Sequence, residues 1–185
     1  MAHDAPTREE ALREIETPVE RTDRLVRQLL ELAAVETADD PGALTSLSQV
    51  LQDVLIELEP LARRRGVSLG QPDVPDAALP LCRFLLHSAL RNVIENTILA
   101  NPDGSTLGMA AHCAEQECHL TVTDAGPGIP DDTRARATDR FVRGRGASIV
   151  GSGLGLSIVA AAMERPGGTV DIPPPENRQS VILHL

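Results

Sequence analysis

Between residues 107 and 122 apolar side chains alternate with others: Leu107, Met109, Ala111 and Cys113, then, past a four-residue gap, Cys118, Leu120 and Val122. A period of two puts each such set on one side of an extended chain. The gap Ala114-Glu115-Gln116-Glu117 reads as the turn of a hairpin. One apolar face needs a cover, and helical segments at 46–65, 81–99 and 154–163 supply it. A short strand at 67–69, a polar, proline-punctuated loop at 71–78 and closing strands at 169–172 and 180–185 complete the pass. Helices and strands segregate rather than alternate strictly. The expected class is therefore α+β, a two-layer sandwich of a mixed β-sheet covered on one face by helices and preceded by an N-terminal helix.

That N-terminal helix, residues 8–37, carries Leu12, Val19, Val26 and Ala33 at a seven-residue spacing, reinforced by Leu25, Leu30 and Leu32. The rhythm suits packing against a partner helix, or else an ordinary amphipathic helix lying on its own domain. Thr17-Pro18-Val19-Glu20 reads as a helix start within it, so a kink or restart is expected there. Asp39-Asp40-Pro41-Gly42 is a turn-rich break. It divides the chain into an N-terminal helical part, 1–38, and a main domain, 43–185.

Composition narrows the function. Two Phe stand with no Tyr or Trp, so the core is aliphatic and no aromatic box for bases or sugars exists. A net charge of −10 argues against general nucleic-acid binding. Every basic residue is Arg, so a phosphate must be met by a guanidinium or a backbone amide. The three cysteines, Cys82, Cys113 and Cys118, fit no even disulfide framework and suggest a reducing compartment. His112-Cys113 and Cys118-His119 resemble a zinc set, but neighbours on a strand point to opposite faces, and zinc is rejected. No apolar run approaches the ~18 residues of a membrane span, so a soluble intracellular domain is expected.

Three features sit where ordinary packing would not place them. Asn92 and Asn96, four residues apart, continue the apolar stripe of the 81–99 helix. Asparagine is a poor helix former and costly to bury unpartnered; the pair is either a ligand set or flank amides bonded to backbone or water. Continuing the core-facing phase of Cys118, Leu120 and Val122 puts Asp124 on the buried side, before Ala125-Gly126-Pro127-Gly128-Ile129-Pro130. That carboxylate meets an external donor or caps its own turn. Gly151, Gly153 and Gly155 precede a buried-looking helix: a cradle aiming amides at an anion, or a flexible loop. Between these features Arg134, Arg136, Arg140, Arg143 and Arg145 concentrate positive charge on an acidic chain.

In that order the series resembles the ATP-binding domain of sensor histidine kinases of two-component systems, within the wider GHKL ATPase group and its Bergerat fold. Asn92-Val-Ile-Glu-Asn96 resembles the N box and Asp124-Ala-Gly126-Pro-Gly128 the G1 box. Arg140-Phe141 resembles the F box and Gly151-Ser152-Gly153-Leu154-Gly155-Leu156 the G2 box. The likeness covers about residues 43–185, and Asp23 to Leu30 resemble the second helix of the family's dimerisation hairpin. The resemblance implies that Asp124 accepts the adenine amino group, with Gly126, Gly128 and Ile129 against the base. It implies Asn96 as the Mg²⁺ ligand, Asn92 beside it in the phosphate shell, and Asn92 with Arg140 in catalytic roles. Phe141, Arg143, Gly151, Ser152, Gly153, Leu154, Gly155 and Leu156 would complete the ATP site. It further implies a cognate response regulator, a homodimer formed through the N-terminal helix, no nucleic-acid partner, and a cytoplasmic position in an inner-membrane sensor protein.

Two departures qualify the likeness. Where the family places a basic residue and then an aromatic or His after the second asparagine, this chain has Leu99 and Ala100. The family's phosphoacceptor helix is also missing, so a fragment lacking the histidine that receives phosphate is expected. Two functions stay open: the catalytic part of a histidine kinase, or a nucleotide-binding switch that transfers nothing. An anti-sigma-factor serine kinase is disfavoured by the leading helix.

Overall fold

The computed structural model describes residues 8–38, 44–114, 117–142, 152–164, 166–174 and 179–185. In chain order these form α1 (Arg8–Thr37), β1 (Leu44–Ser46), α2 (Leu47–Arg64), β2 (Ser68–Leu69), β3 (Ala78–Pro80) and α3 (Arg83–Ala100). Then follow β4 (Thr106–Ala114), β5 (Glu117–Asp124), α4 (Asp131–Arg134), α5 (Gly155–Glu164), β6 (Thr169–Asp171) and β7 (Gln179–His184). One sheet runs β2-β4-β5-β7-β6, parallel at β2–β4 and antiparallel elsewhere. Helices α2, α3 and α5 pack together over one face, so the α+β expectation holds.

The alternation in the hairpin decides that face. Leu107, Met109, Cys118, Leu120, Val122 and Asp124 are buried, whereas Thr121 and Thr123, on the other phase of β5, are only partly so. Leu51, Leu86, Leu90, Ile94, Ile158 and Met163 fill the space between the layers, each of their side chains fully buried. Both Phe are exposed, leaving the core aliphatic. Helix α2 begins where Ser46 Oγ accepts the Gln49 N–H at 3.3 Å, a capping bond that serine supplies readily.

Three expectations need correction. Helix α1 is assigned without interruption through Pro18, so there is no restart at Thr17. The 71–78 segment is not loop throughout, because it leads into β3, which pairs with β1 in a separate two-stranded sheet. Cys113 and Cys118 are joined in a disulfide rather than standing as free thiols, leaving Cys82 free among the described cysteines. Register is the cause. Cys118 exchanges both backbone bonds with Leu185 on its β7 side, at 3.2 and 2.8 Å, so toward β4 it forms a pair without backbone bonds. Such pairs bring opposed side chains closest together.

Helix α1 has two faces. Gln28, Leu32 and Val35 are buried, whereas Val26, Leu29 and Leu30 remain exposed, Leu30 at 66%. These last three lie outward, while Leu32, read as part of the heptad stripe, belongs to the inward stripe that seals α1 against α5 and α3. Among the described residues no helix is long and apolar enough to cross a membrane.

Candidate nucleotide site

Strand β5 delivers Asp124 to the helix-covered side at 4% exposure. Its Oδ1 accepts the Gly126 N–H at 2.6 Å, the own-turn bond that Asp favours before glycine. No donor among the described residues meets Oδ2. Burial raises the Asp124 carboxyl above the ordinary aspartate value, and the Gly126 bond only partly offsets this. The turn is anchored from α3: Asn101, buried just past the helix, accepts the Ala125 N–H at 3.0 Å. Sequence reasoning overlooked Asn101, because Asn101-Pro102-Asp103-Gly104 reads as turn chemistry alone.

The two asparagines of α3 diverge. Asn92 is buried at 1% and its Nδ2 donates to Ser88 O and to Glu31 Oε1 of α1, both at 2.9 Å. Asn96 is partly exposed, and its side chain has no hydrogen bond to another described residue. It lies instead against the start of α5: a Cβ on Gly155 would stand 2.3 Å from Asn96 Nδ2 and 2.8 Å from Oδ1. Gly155 leaves that space, where α3 meets α5, to the end of the Asn96 side chain. The first amides of α5 have no acceptor within the helix, so Asn96 sits where an anion is favoured.

Phe141 adjoins the same loop. Its N–H donates to Gly153 O at 2.9 Å, and both residues have positive φ, 62° for Phe141 and 76° for Gly153. Positive φ is unusual for a bulky residue, so Phe141 is held by its surroundings rather than by preference. A Cβ on Gly153 would fall 2.9 Å from Phe141 Cα, so glycine is needed for both conformation and clearance. Ser152 Oγ accepts the Leu154 N–H at 3.1 Å and donates to Gln28 of α1. Thus the segments around 92–96, 140–141 and 152–156 are linked by direct contacts at Asn96–Gly155 and Phe141–Gly153 and by α1, while the Asp124 turn is tied to the end of α3 through Asn101.

Residues 83–185 match the family described as histidine kinase-, DNA gyrase B-, and HSP90-like ATPases. The chain belongs to that family. Sensor protein QseC of Salmonella typhi is 32% identical over 173 residues, which is 90% of this chain and 37% of that protein. The chain therefore spans little more than a third of that relative's length. The mycobacterial sensor histidine kinase MprB structure is 29% identical with a TM-score of 0.67, covering 77% of this chain and 96% of that one. Histidine kinase ThkA, solved in complex with response regulator TrrA, superposes with a TM-score of 0.74 at 19% identity, over 100% of this chain and 52% of that one, a likeness of fold. Sensor histidine kinases are thus its relatives within the ATPase family, and this is an ATP-binding domain of their kind.

Arginines follow the Asp124 turn, and the three described, Arg134, Arg136 and Arg140, are engaged. Arg134 donates to Ile129 O at 3.2 Å and pairs with Asp131, Arg136 Nε donates to Asp139 at 2.9 Å, and Arg140 pairs with Glu36 of α1. Gly128, at φ 77°, and Ile129 lie partly exposed after Asp124; Leu154 is buried and Leu156 half-buried on α5. Arg143 and Gly151 lie outside the described residues. At the end of α3, Arg65 donates to Leu99 O at 3.1 Å.

Proposed function

We propose that the chain binds Mg²⁺-ATP between the Asp124 turn and the start of α5, as the catalytic portion of a two-component sensor histidine kinase. The observation that carries the reading is the unbonded Asn96 amide lying against Gly155 at the first turn of α5. A hard cation suits an amide oxygen shared with phosphate oxygens. Asp124 Oδ2 suits the adenine amine, and Gly126 leaves the turn no side chain beyond it. Gly153, Leu154 and Gly155 direct amides at phosphates, while Ser152, Phe141 and Arg140 shape the lid with Arg143 and Gly151. The nucleotide supplies a γ-phosphoryl group for transfer to a histidine outside this chain. Transfer is chiefly positioning and charge stabilisation, which Asn92 and Arg140 would serve on leaving α1.

Asn96→Ala should abolish most of the gain in ATP affinity that Mg²⁺ brings, while leaving metal-free binding little changed. Calorimetry with and without Mg²⁺ reads both; an undiminished Mg²⁺ gain would remove Asn96 from the metal. Glu31 places a carboxylate on the Asn92 amide, beside the proposed phosphates. Glu31→Ala should therefore raise ATP affinity, by about two- to fivefold given the partial exposure of the acid; a fall in affinity would mean that Glu31 supports the site instead.

The same proposal places the exposed Val26, Leu29 and Leu30 stripe in a homodimer and a cognate response regulator on the completed protein, held on the cytoplasmic side of an inner membrane. Leu99 and Ala100, which lack the family's charge and ring, favour a second reading as a switch without transfer. Acid-labile, base-stable phosphate on a chain completed with an acceptor histidine decides between them; ATP binding without label supports the switch.

A further inference from the structure

We propose that His119 and His184 form a two-imidazole chelate for a divalent late first-row ion of tetragonal preference, Ni²⁺ or Cu²⁺, on the sheet face opposite the helices. The pair lies across β5 and β7 in direct register. Because Cys118 and Leu185 exchange both backbone bonds, the next pair, His119–His184, has none between its own strands. Opposed side chains approach most closely in that arrangement. Accordingly the two Nδ1 atoms stand 2.8 Å apart, with ring centroids at 4.7 Å and planes at 84°. His112 is next in the same register row, but beyond the wider kind of pair.

That separation matches a metal bite. Two nitrogens at about 2.0 Å from one ion and at right angles to each other lie about 2.8 Å apart, whereas a tetrahedral ion would need about 3.3 Å. Right-angled nitrogen ligands are the tetragonal preference of Cu²⁺ and Ni²⁺ rather than of Zn²⁺. In the free chain one Nδ1 donates to the other. Binding moves that proton to the far nitrogen of the same ring, so both Nδ1 lone pairs face the ion and no proton is lost from neutral rings. Rotation about χ2, a broad and soft torsion, turns the lone pairs inward. His119 Nε2 faces the Glu117 carboxylate at 3.7 Å, and an acid on that side favours Nε2–H and a free Nδ1. Among the described residues no three His, Cys, Asp or Glu side chains converge on one point, so water completes the coordination. The disulfide pair occupies the opposite side of the sheet, and its sulfurs take no part.

Titration calorimetry of the tag-free chain with Ni²⁺ at neutral pH tests the site, with thermal melts to show that each variant folds. One equivalent should bind, and His119→Ala and His184→Ala should each weaken it by roughly tenfold or more. His119→Gln and His184→Gln serve if an alanine variant unfolds, since glutamine keeps a polar group on this open face. Cys113→Ser/Cys118→Ser should bind as the parent does. Absence of binding by the parent, or binding that survives in both His variants, overturns the proposal. So does binding that is lost in the Cys variant but kept in the His variants.

Discussion

Asp124→Asn should lose ATP about 10- to 100-fold while the ligand-free domain melts no lower than the parent. The loss follows from donor and acceptor chemistry. A carboxylate only accepts, whereas an amide must also donate, and the adenine amine would face a mispaired partner at about 1–3 kcal/mol. The unchanged or raised melting temperature follows from burial. The Asp124 carboxyl is held above its ordinary value chiefly by desolvation, so the folded chain takes up this proton at a higher pH than the unfolded chain. Between the two values folding stability falls as pH rises, and the cost is full above the folded value. Asparagine keeps an acceptor for the Gly126 N–H and removes the charge. For the same reason ATP affinity of the parent should fall as pH drops through the raised value, where the acid becomes protonated. Calorimetry at several pH values with thermal melts tests both halves; parent-like affinity in a folded Asp124→Asn variant would falsify the adenine role.

Gly155→Ala should separate binding from folding even more sharply. The added Cβ meets the end of the Asn96 side chain, not backbone, so the clash is relieved by moving Asn96. Alanine is also the better residue within a helix, by roughly 1 kcal/mol. The melting temperature should therefore change by only a few degrees, while Mg²⁺-ATP affinity should drop about tenfold or more as the amide leaves its place. Gly153→Ala differs in kind: it meets Phe141 backbone at a positive φ, and should cost about 1–3 kcal/mol of stability besides binding. If Gly155→Ala binds Mg²⁺-ATP like the parent, the cation is not held at Asn96.

What could be read from the chain beforehand follows from the range of the interactions. Periodicity is local, so the hairpin, its buried phase ending at Asp124, and the position of Asn96 on α3 were all legible. The partners of Asn92 and Arg140 were not. Glu31 stands 61 residues before Asn92, and Glu36 stands 104 residues before Arg140, on a helix whose own pattern pointed to a different partner. One helix carried two stripes, and the outward, more apolar one masked the inward one with Gln28. The disulfide and the His119–His184 pair both depend on which cross-strand pairs lack backbone bonds, a property of register that composition does not express. Strands β1 and β3, three residues each, are too short to show a period.

With neither Tyr nor Trp in the chain and both Phe at the surface, the protein is almost colourless in the near ultraviolet. Adenine, where it binds, is then the dominant chromophore, and once free nucleotide is removed its absorbance reports occupancy without a dye or a label. A single tryptophan placed at Ala100, whose carbonyl lies beside Gly126, would fluoresce from one known place against a dark background. The aliphatic interior thus makes this domain its own optical blank.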